Sequence, residues 1–107
     1  VDYPEYGAAV GHAVSSGEAK YGVCVCGSGV GISIAANKIS GVRAALVSDA
    51  VSAELSRQHN DANVLCFGER STEFEVAETA LMAWLNAEFE GGRHQARVEK
   101  LNALSGE

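Results

Sequence analysis

The stretch Val23-Cys24-Val25-Cys26-Gly27-Ser28-Gly29-Val30-Gly31 limits what this chain can become more than any other. A short apolar run enters a glycine-rich turn, and a segment rich in Ile and Ala leaves it. That is a buried strand, a tight turn and a helix in immediate succession. The glycines let backbone N–H groups turn inward and approach a ligand closely. Such groups at a helix start form a cradle for negative charge. Cys26 adds a thiol at the rim of that cradle.

The same alternation continues downstream. Residues 4–17 form a plausible helix that starts at Pro4 and ends at Gly17. Strands are expected over 21–26, 42–48 and 63–67, with helices over about 29–38, 49–59 and 72–88 between and after them. Asp49 and Thr72 are the expected N-caps of the last two. Phe74, Ala77, Leu81, Trp84 and Leu85 recur at helical spacing and form the expected buried stripe. Gly91-Gly92 breaks this helix, and a last one carries Val98, Leu101 and Leu104, with Val98 and Leu101 turned to the core. Short apolar strands alternating with helices mean βαβ units and a parallel sheet. The expected fold is α/β: a Rossmann-like three-layer αβα sandwich whose parallel sheet has three strands in this chain. Such sheets more often have about 4–6 strands, and the chain begins at Val1, not Met. It therefore reads as starting partway into a fold, with leading strands missing.

At 107 residues the chain is one domain, residues 1–107. Its formal charge of −6 argues against broad binding to nucleic acid or to an anionic membrane surface. No apolar run approaches the ~20 residues of a membrane span. Cys24, Cys26 and Cys66 show no disulfide framework and suit a reducing, cytoplasmic setting. Cys24 and Cys26 share one face of a strand but are badly placed to pair with each other. A Cys-x-Cys pair without a second ligand pair makes zinc a weak reading.

In open α/β sheets ligands sit beyond the carboxyl ends of the strands. Two loops meet that condition: Cys26-Gly27-Ser28-Gly29-Val30-Gly31, and Gly68-Glu69-Arg70 after the third strand. The first is neither a P-loop nor a clean dinucleotide fingerprint. A tight turn with close packing and an anion cradle fit it about equally. Arg93 and Arg97, an i, i+4 pair, share a helix face that suits a phosphate or a solvated basic stripe. His59-Asn60-Asp61 closes a helix, with Asn60 as the expected left-handed cap. A helix returning between parallel strands ends at the amino edge of the sheet, away from the Cys26 loop. His59 is therefore expected not to reach Cys26 of its own chain, and a catalytic His59 would serve a neighbouring subunit. His12 and His94 carry no comparable signal.

These pieces resemble the type B ribose-5-phosphate isomerases, whose relatives include the galactose-6-phosphate isomerase subunits. The likeness is carried by Cys26-Gly27-Ser28-Gly29-Val30-Gly31, Ser33-Ile34-Ala35-Ala36-Asn37-Lys38, Gly41-Val42-Arg43-Ala44-Ala45, His59-Asn60-Asp61-Ala62-Asn63, and Glu88-Phe89-Glu90-Gly91-Gly92-Arg93-His94 with Arg97. It spans essentially the whole chain, in order. The resemblance implies an aldose–ketose isomerase that interconverts ribose 5-phosphate and ribulose 5-phosphate through a cis-enediolate, within the pentose phosphate pathway. It implies Cys26 as general base and His59 as the acid that opens the furanose ring. Gly27, Ser28, Gly29, Val30 and Gly31 would stabilise the oxyanion, Asn60 would bind substrate oxygens, and Arg70, Arg93 and Arg97 would hold the phosphate. Residues from about 88 onward would form a phosphate-binding, dimer-contact tail. No metal or organic cofactor is implied, and the active unit is a homodimer or higher oligomer with shared sites. Ile32 stands where another branch places a catalytic carboxylate, and Ser28 replaces a commoner threonine. Nothing in this sequence matches the family's leading strand, loop and helix with their Asp-His pair. Galactose 6-phosphate, allose 6-phosphate or a tetrose phosphate are alternative substrates, and a non-catalytic phospho-ligand-binding fragment is the alternative of another class.

Overall fold

The elements run α1 (Tyr3–Ser15), β1 (Gly22–Cys26), α2 (Val30–Asn37), β2 (Ala44–Leu46), α3 (Ala50–Asn60), β3 (Val64–Gly68), α4 (Phe74–Asn86) and α5 (Arg93–Leu104) in a computed structural model that describes residues 2–104. The sheet is wholly parallel, in the order β1-β3-β2. Strand β3 is central and all five of its residues are buried. Its side chains alternate between two cores, as strand geometry requires. Val64 and Cys66 meet Val14 of α1 and Ile32 and Ala36 of α2 on one face. Leu65 and Phe67 meet Ala53 of α3 and Ala80 and Trp84 of α4 on the other. The expected α/β sandwich is thus formed, with helices on both faces of a three-stranded parallel sheet.

Helix α1 lies close on α2 because its contact face is glycine. A Cβ at Gly7 would stand 2.8 Å from the Ala35 Cβ and 2.9 Å from the Ile32 carbonyl oxygen. One at Gly11 would stand 2.8 Å from Ile39. Strand β2 is shorter than the expected 42–48 because it is an edge. Its flanks still pair, through Asn63 N–H to Arg43 O (3.0 Å) and Val47 N–H to Cys66 O (3.0 Å). Its outer edge is capped by Asn37, whose amide donates to Ala44 O (3.0 Å) and accepts from Ala44 N–H (2.8 Å). A side-chain amide thereby takes the place of a further strand.

Several sequence expectations shift. Asp49 caps α3 as expected, its carboxylate accepting from Ser52 N–H at 2.7 Å. Thr72 does not cap α4; the N-cap position is Glu73. The Thr72 N–H is drawn back to Gly68 O (3.0 Å), which places Thr72 in the turn after β3. The left-handed residue after α3 is Asp61 (φ 50°), not Asn60. Its carboxylate bonds Arg57 (2.9 Å) and Arg43 (3.4 Å), so two ion pairs hold a conformation that side chains otherwise avoid. On α4 the buried face is Ala80 and Trp84, while Phe74 is 73% and Leu85 47% exposed. Phe74 opens the helix beyond the carboxyl edge of the sheet, and Leu85, one residue after Trp84, is turned about 100° away. On α5 Val98 is buried, but Leu101 and Leu104 are exposed at 45% and 85%. The main packing partner of this helix is α3.

Candidate active site

The carboxyl edge of the sheet carries the first half of the site. Cys26 is the last residue of β1 and pairs in register with Gly68, the last residue of β3. Glu69 N–H donates to Cys26 O (2.9 Å) and Arg70 N–H to Gly27 O (3.0 Å), which ties the two expected loops together. Gly29 takes φ +81° as the chain turns into α2, a conformation natural to glycine. The turn aims Gly29 N–H at the Cys26 sulfur (3.2 Å) and Val30 N–H at the Ser28 hydroxyl (3.2 Å). Two amides of the expected cradle thus bond side chains of the loop itself. The N–H groups of the next residues, in the first turn of α2, have no acceptor within the helix. The Arg70 guanidinium lies over Gly27, its central carbon 3.1 Å from where a Cβ would be. Tyr3, Cys26, Ser28, Val30, Ile34 and Arg70 line an open cleft of about 550 Å³ here.

The three thiols differ in setting. Cys24 and Cys66 face each other across β1 and β3 and are 3% and 0% exposed. The hydrogen bond with Cys24, and then burial, push the Cys66 thiol far above its ordinary value. Cys26 alone opens onto a cleft.

The amino edge carries the second half. His59 lies in the last turn of α3, and its ring stacks on that of His94, with centroids 4.2 Å apart and planes 14° from parallel. Glu90 Oε1 stands 3.7 Å from His59 Nε2 and 3.9 Å from His94 Nε2. Glu90 N–H donates to Gln58 O (3.0 Å), and Gly91 and Gly92, both with positive φ, turn the chain into α5. Burial, then the charges of His59, Arg93 and Arg97, lower the His94 imidazole below its ordinary value, against the pull of Glu90. Arg93 and Arg97 are exposed on the same helix. Asn60 lines a separate cleft of about 450 Å³ with Arg43 and Leu101.

The structure therefore brings Cys26, Gly27, Ser28, Gly29, Val30, Gly31 and Arg70 together, places His59, Arg93 and Arg97 around His94 elsewhere, and sets Asn60 in the separate cleft. The length of β1 separates the two edges, about 13 Å at the usual rise per residue. Sequence reasoning missed His94, which was given no signal, and Glu90, which came up only as part of a longer motif. Their spacing of four residues, Glu90 to His94, was the available clue. It also missed Tyr3, whose ring packs on Gly31 in the Cys26 cleft. The donor atoms of His59, Glu90 and His94 lie within 4.8 Å of one another, near enough to suggest a metal. Stacked rings, however, point their in-plane lone pairs side by side and not at a common centre. Arg93 and Arg97 further disfavour a cation there.

The ribose/galactose isomerase family model matches residues 1–101. Ribose-5-phosphate isomerase B of Escherichia coli (strain K12) is 55% identical over 103 residues, which cover 96% of this chain and 69% of that protein. The structure of Clostridium thermocellum ribose-5-phosphate isomerase B superposes with a TM-score of 0.95 at 50% identity, over 97% of this chain and 70% of that one. The Mycoplasma genitalium ribose-5-phosphate isomerase B structure with bound ribulose-5-phosphate gives 0.95 at 42% identity, over 100% and 71%. The family match runs through both halves of the site, from the glycine loop to the arginines of α5, and this chain belongs to the ribose/galactose isomerase family.

Proposed function

We propose that the chain is an aldose–ketose isomerase that interconverts ribose 5-phosphate and ribulose 5-phosphate, the reaction named by its relatives. A relative of 42% identity and the same fold is described with ribulose-5-phosphate bound. The observation that carries the assignment to residues is the Cys26 sulfur. It stands at an open cleft, met by the Gly29 N–H at 3.2 Å, while the other two thiols are sealed in the sheet.

In this reading the Cys26 thiolate takes the proton from C2 of the open-chain aldose. The electron pair forms the C1–C2 double bond, and the carbonyl oxygen on C1 becomes an oxyanion. Amides of the Gly27–Gly31 turn and the Ser28 hydroxyl stabilise that charge where it develops. The hydroxyl on C2 passes its proton to the C1 oxyanion, and C1 then takes the proton back from the Cys26 thiol as the C2–O bond becomes the ketone carbonyl. The Gly29 N–H is a donor aimed at the sulfur that serves as the base. His59 opens the furanose ring as a general acid. Asn60 holds sugar oxygens, and Arg70, Arg93 and Arg97 hold the phosphate. Thiol, amides and imidazole supply base, oxyanion donors and acid, so this route draws on no metal or organic cofactor. Because Cys26 and His59 lie at opposite edges, one site takes Cys26 from one copy and His59 from a second, and the working unit is a homodimer. Three free cysteines favour a reducing cytoplasm and a place in pentose phosphate metabolism.

The test is turnover of ribose 5-phosphate by Cys26→Ala. Isomerisation is expected to disappear while a phosphosugar analogue still binds. Unchanged turnover would remove Cys26 from the chemistry.

A further inference from the structure

His94 is not accounted for by any role above. It is buried at 7% exposure at the second position of α5, and its ring stacks on that of His59. Resting on the ring-opening reading of His59, we infer that His94 is the positioning residue of that step. Its imidazole, stacked face to face on His59, holds the His59 ring at the angle from which it passes a proton to the sugar's ring oxygen.

Three observations carry this. The rings lie 4.2 Å apart and 14° from parallel, so the stack fixes both the position and the tilt of His59. His59 sits near the end of α3, 36% exposed at its side chain, where no other ring restrains it among the described residues. His94, by contrast, is anchored. It shares the buried face of α5 with Val98, and its N–H is tied back to Gly91 O (3.0 Å), so the glycine turn sets where the ring enters.

The charges around the pair follow the same division. Glu90 faces both rings from the turn, and Arg93 and Arg97 act on His94 from its own helix. Two imidazolium ions in a stack repel one another. Burial, the neighbouring His59 and the two arginines lower the His94 imidazole below its ordinary value, while Glu90 Oε1 stands 3.7 Å from His59 Nε2. In the step itself His59, as the general acid, gives a proton to the ring oxygen as the bond from C1 to that oxygen breaks. The hydroxyl on C1 gives its proton to solvent water and becomes the aldehyde oxygen. His94 exchanges no proton and touches no substrate atom.

Ring opening can be read without isomerisation. In a Cys26→Ala background, exchange between the α and β furanose anomers of ribose 5-phosphate is measured by two-dimensional NMR exchange, with phosphosugar affinity in the same samples. Cys26→Ala is expected to accelerate anomer exchange, and adding His59→Ala to abolish the acceleration. Adding His94→Ala should lower it at least about tenfold with affinity unchanged, a loss that fold damage alone would not confine to one readout. Adding His94→Phe, which keeps a stacking ring without a titrating nitrogen, should restore most of it. If the His59 substitution leaves exchange untouched, the ring-opening reading itself falls. If it abolishes exchange but His94→Ala matches the Cys26→Ala parent, or His94→Phe falls as far as His94→Ala, the positioning role is overturned.

Discussion

Cys24 and Cys66 are sealed against one another, whereas Cys26, two residues along the same strand, reaches a cleft with an amide at its sulfur. Reactivity of a thiol follows access and thiolate character. Brief treatment of the native protein with iodoacetamide is therefore expected to modify Cys26 first, read by mass spectrometry of the digested protein, with Cys24 and Cys66 protected until unfolding. Early labelling of Cys66 would contradict the buried pairing. Arg97 is exposed on α5 and, in the proposed site, meets only the phosphate. Arg97→Ala should raise KM for ribose 5-phosphate while changing kcat little; a KM equal to wild type would exclude phosphate binding by this residue. Of the site residues, the Cys26 turn and Arg70 were legible because loops at the carboxyl ends of adjacent parallel strands must converge. His94 was not, because its partner lies on another helix and no local pattern announces a ring stack.

Helices α1 and α2 meet through Gly7 and Gly11, where an added Cβ would press on Ala35, the Ile32 carbonyl and Ile39. Gly7→Ala should destabilise the fold by about 1–3 kcal/mol, since overpacking outweighs the helix propensity that alanine gains. Chemical denaturation would check this, and a stabilised Gly7→Ala would mean that the two helices can part without loss. Helix α3 starts at Asp49, whose carboxyl is held below its ordinary value by the Ser52 N–H and then by the Ser52 hydroxyl. The unfolded chain therefore takes up a proton here more readily than the folded one. This contribution is complete above the ordinary value of 3.8 and is lost as pH falls below it. Asp49→Asn, which caps without titrating, should make the denaturation midpoint less sensitive to acid in that range. An identical acid dependence would show that the cap carboxylate is not linked to folding. The Asp49 cap was legible from the residue type alone. The fate of Thr72 was not, because Gly68 on the neighbouring strand end decides where its N–H goes.

At the scale of the molecule, a thiol at one edge of the sheet and an imidazole at the other require two copies for one proposed site. Cys26→Ala and His59→Ala are each expected to be inactive alone. Unfolded, mixed in equal amounts and refolded together, they should recover about a quarter of wild-type activity, since half of randomly paired dimers carry one intact site of two. No recovery would mean that each site is built within one chain, and the division of labour proposed above would be wrong. The parallel sheet with helices on both faces was legible because strand and helix periods alternate along the chain. The exposure of Phe74, Leu85, Leu101 and Leu104 was not, since helical spacing names a stripe without saying what lies opposite it.

The amino-acid sequence by itself determined the local units: apolar strands, glycine turns, the Asp49 cap and the order in which they follow. It also determined that His59 must lie at the edge away from Cys26, because a parallel crossover has a fixed direction. Only the tertiary structure decided which amides bond the Cys26 sulfur, which thiols are sealed, that Asp61 closes α3 through two arginines, and that His94 stacks on His59. The sealed thiols, the Arg43–Asp61 pair and the His59–His94 stack depend on contacts between residues far apart in the chain, and the Gly29–Cys26 bond depends on how the glycine turn folds; neither leaves a period in the sequence.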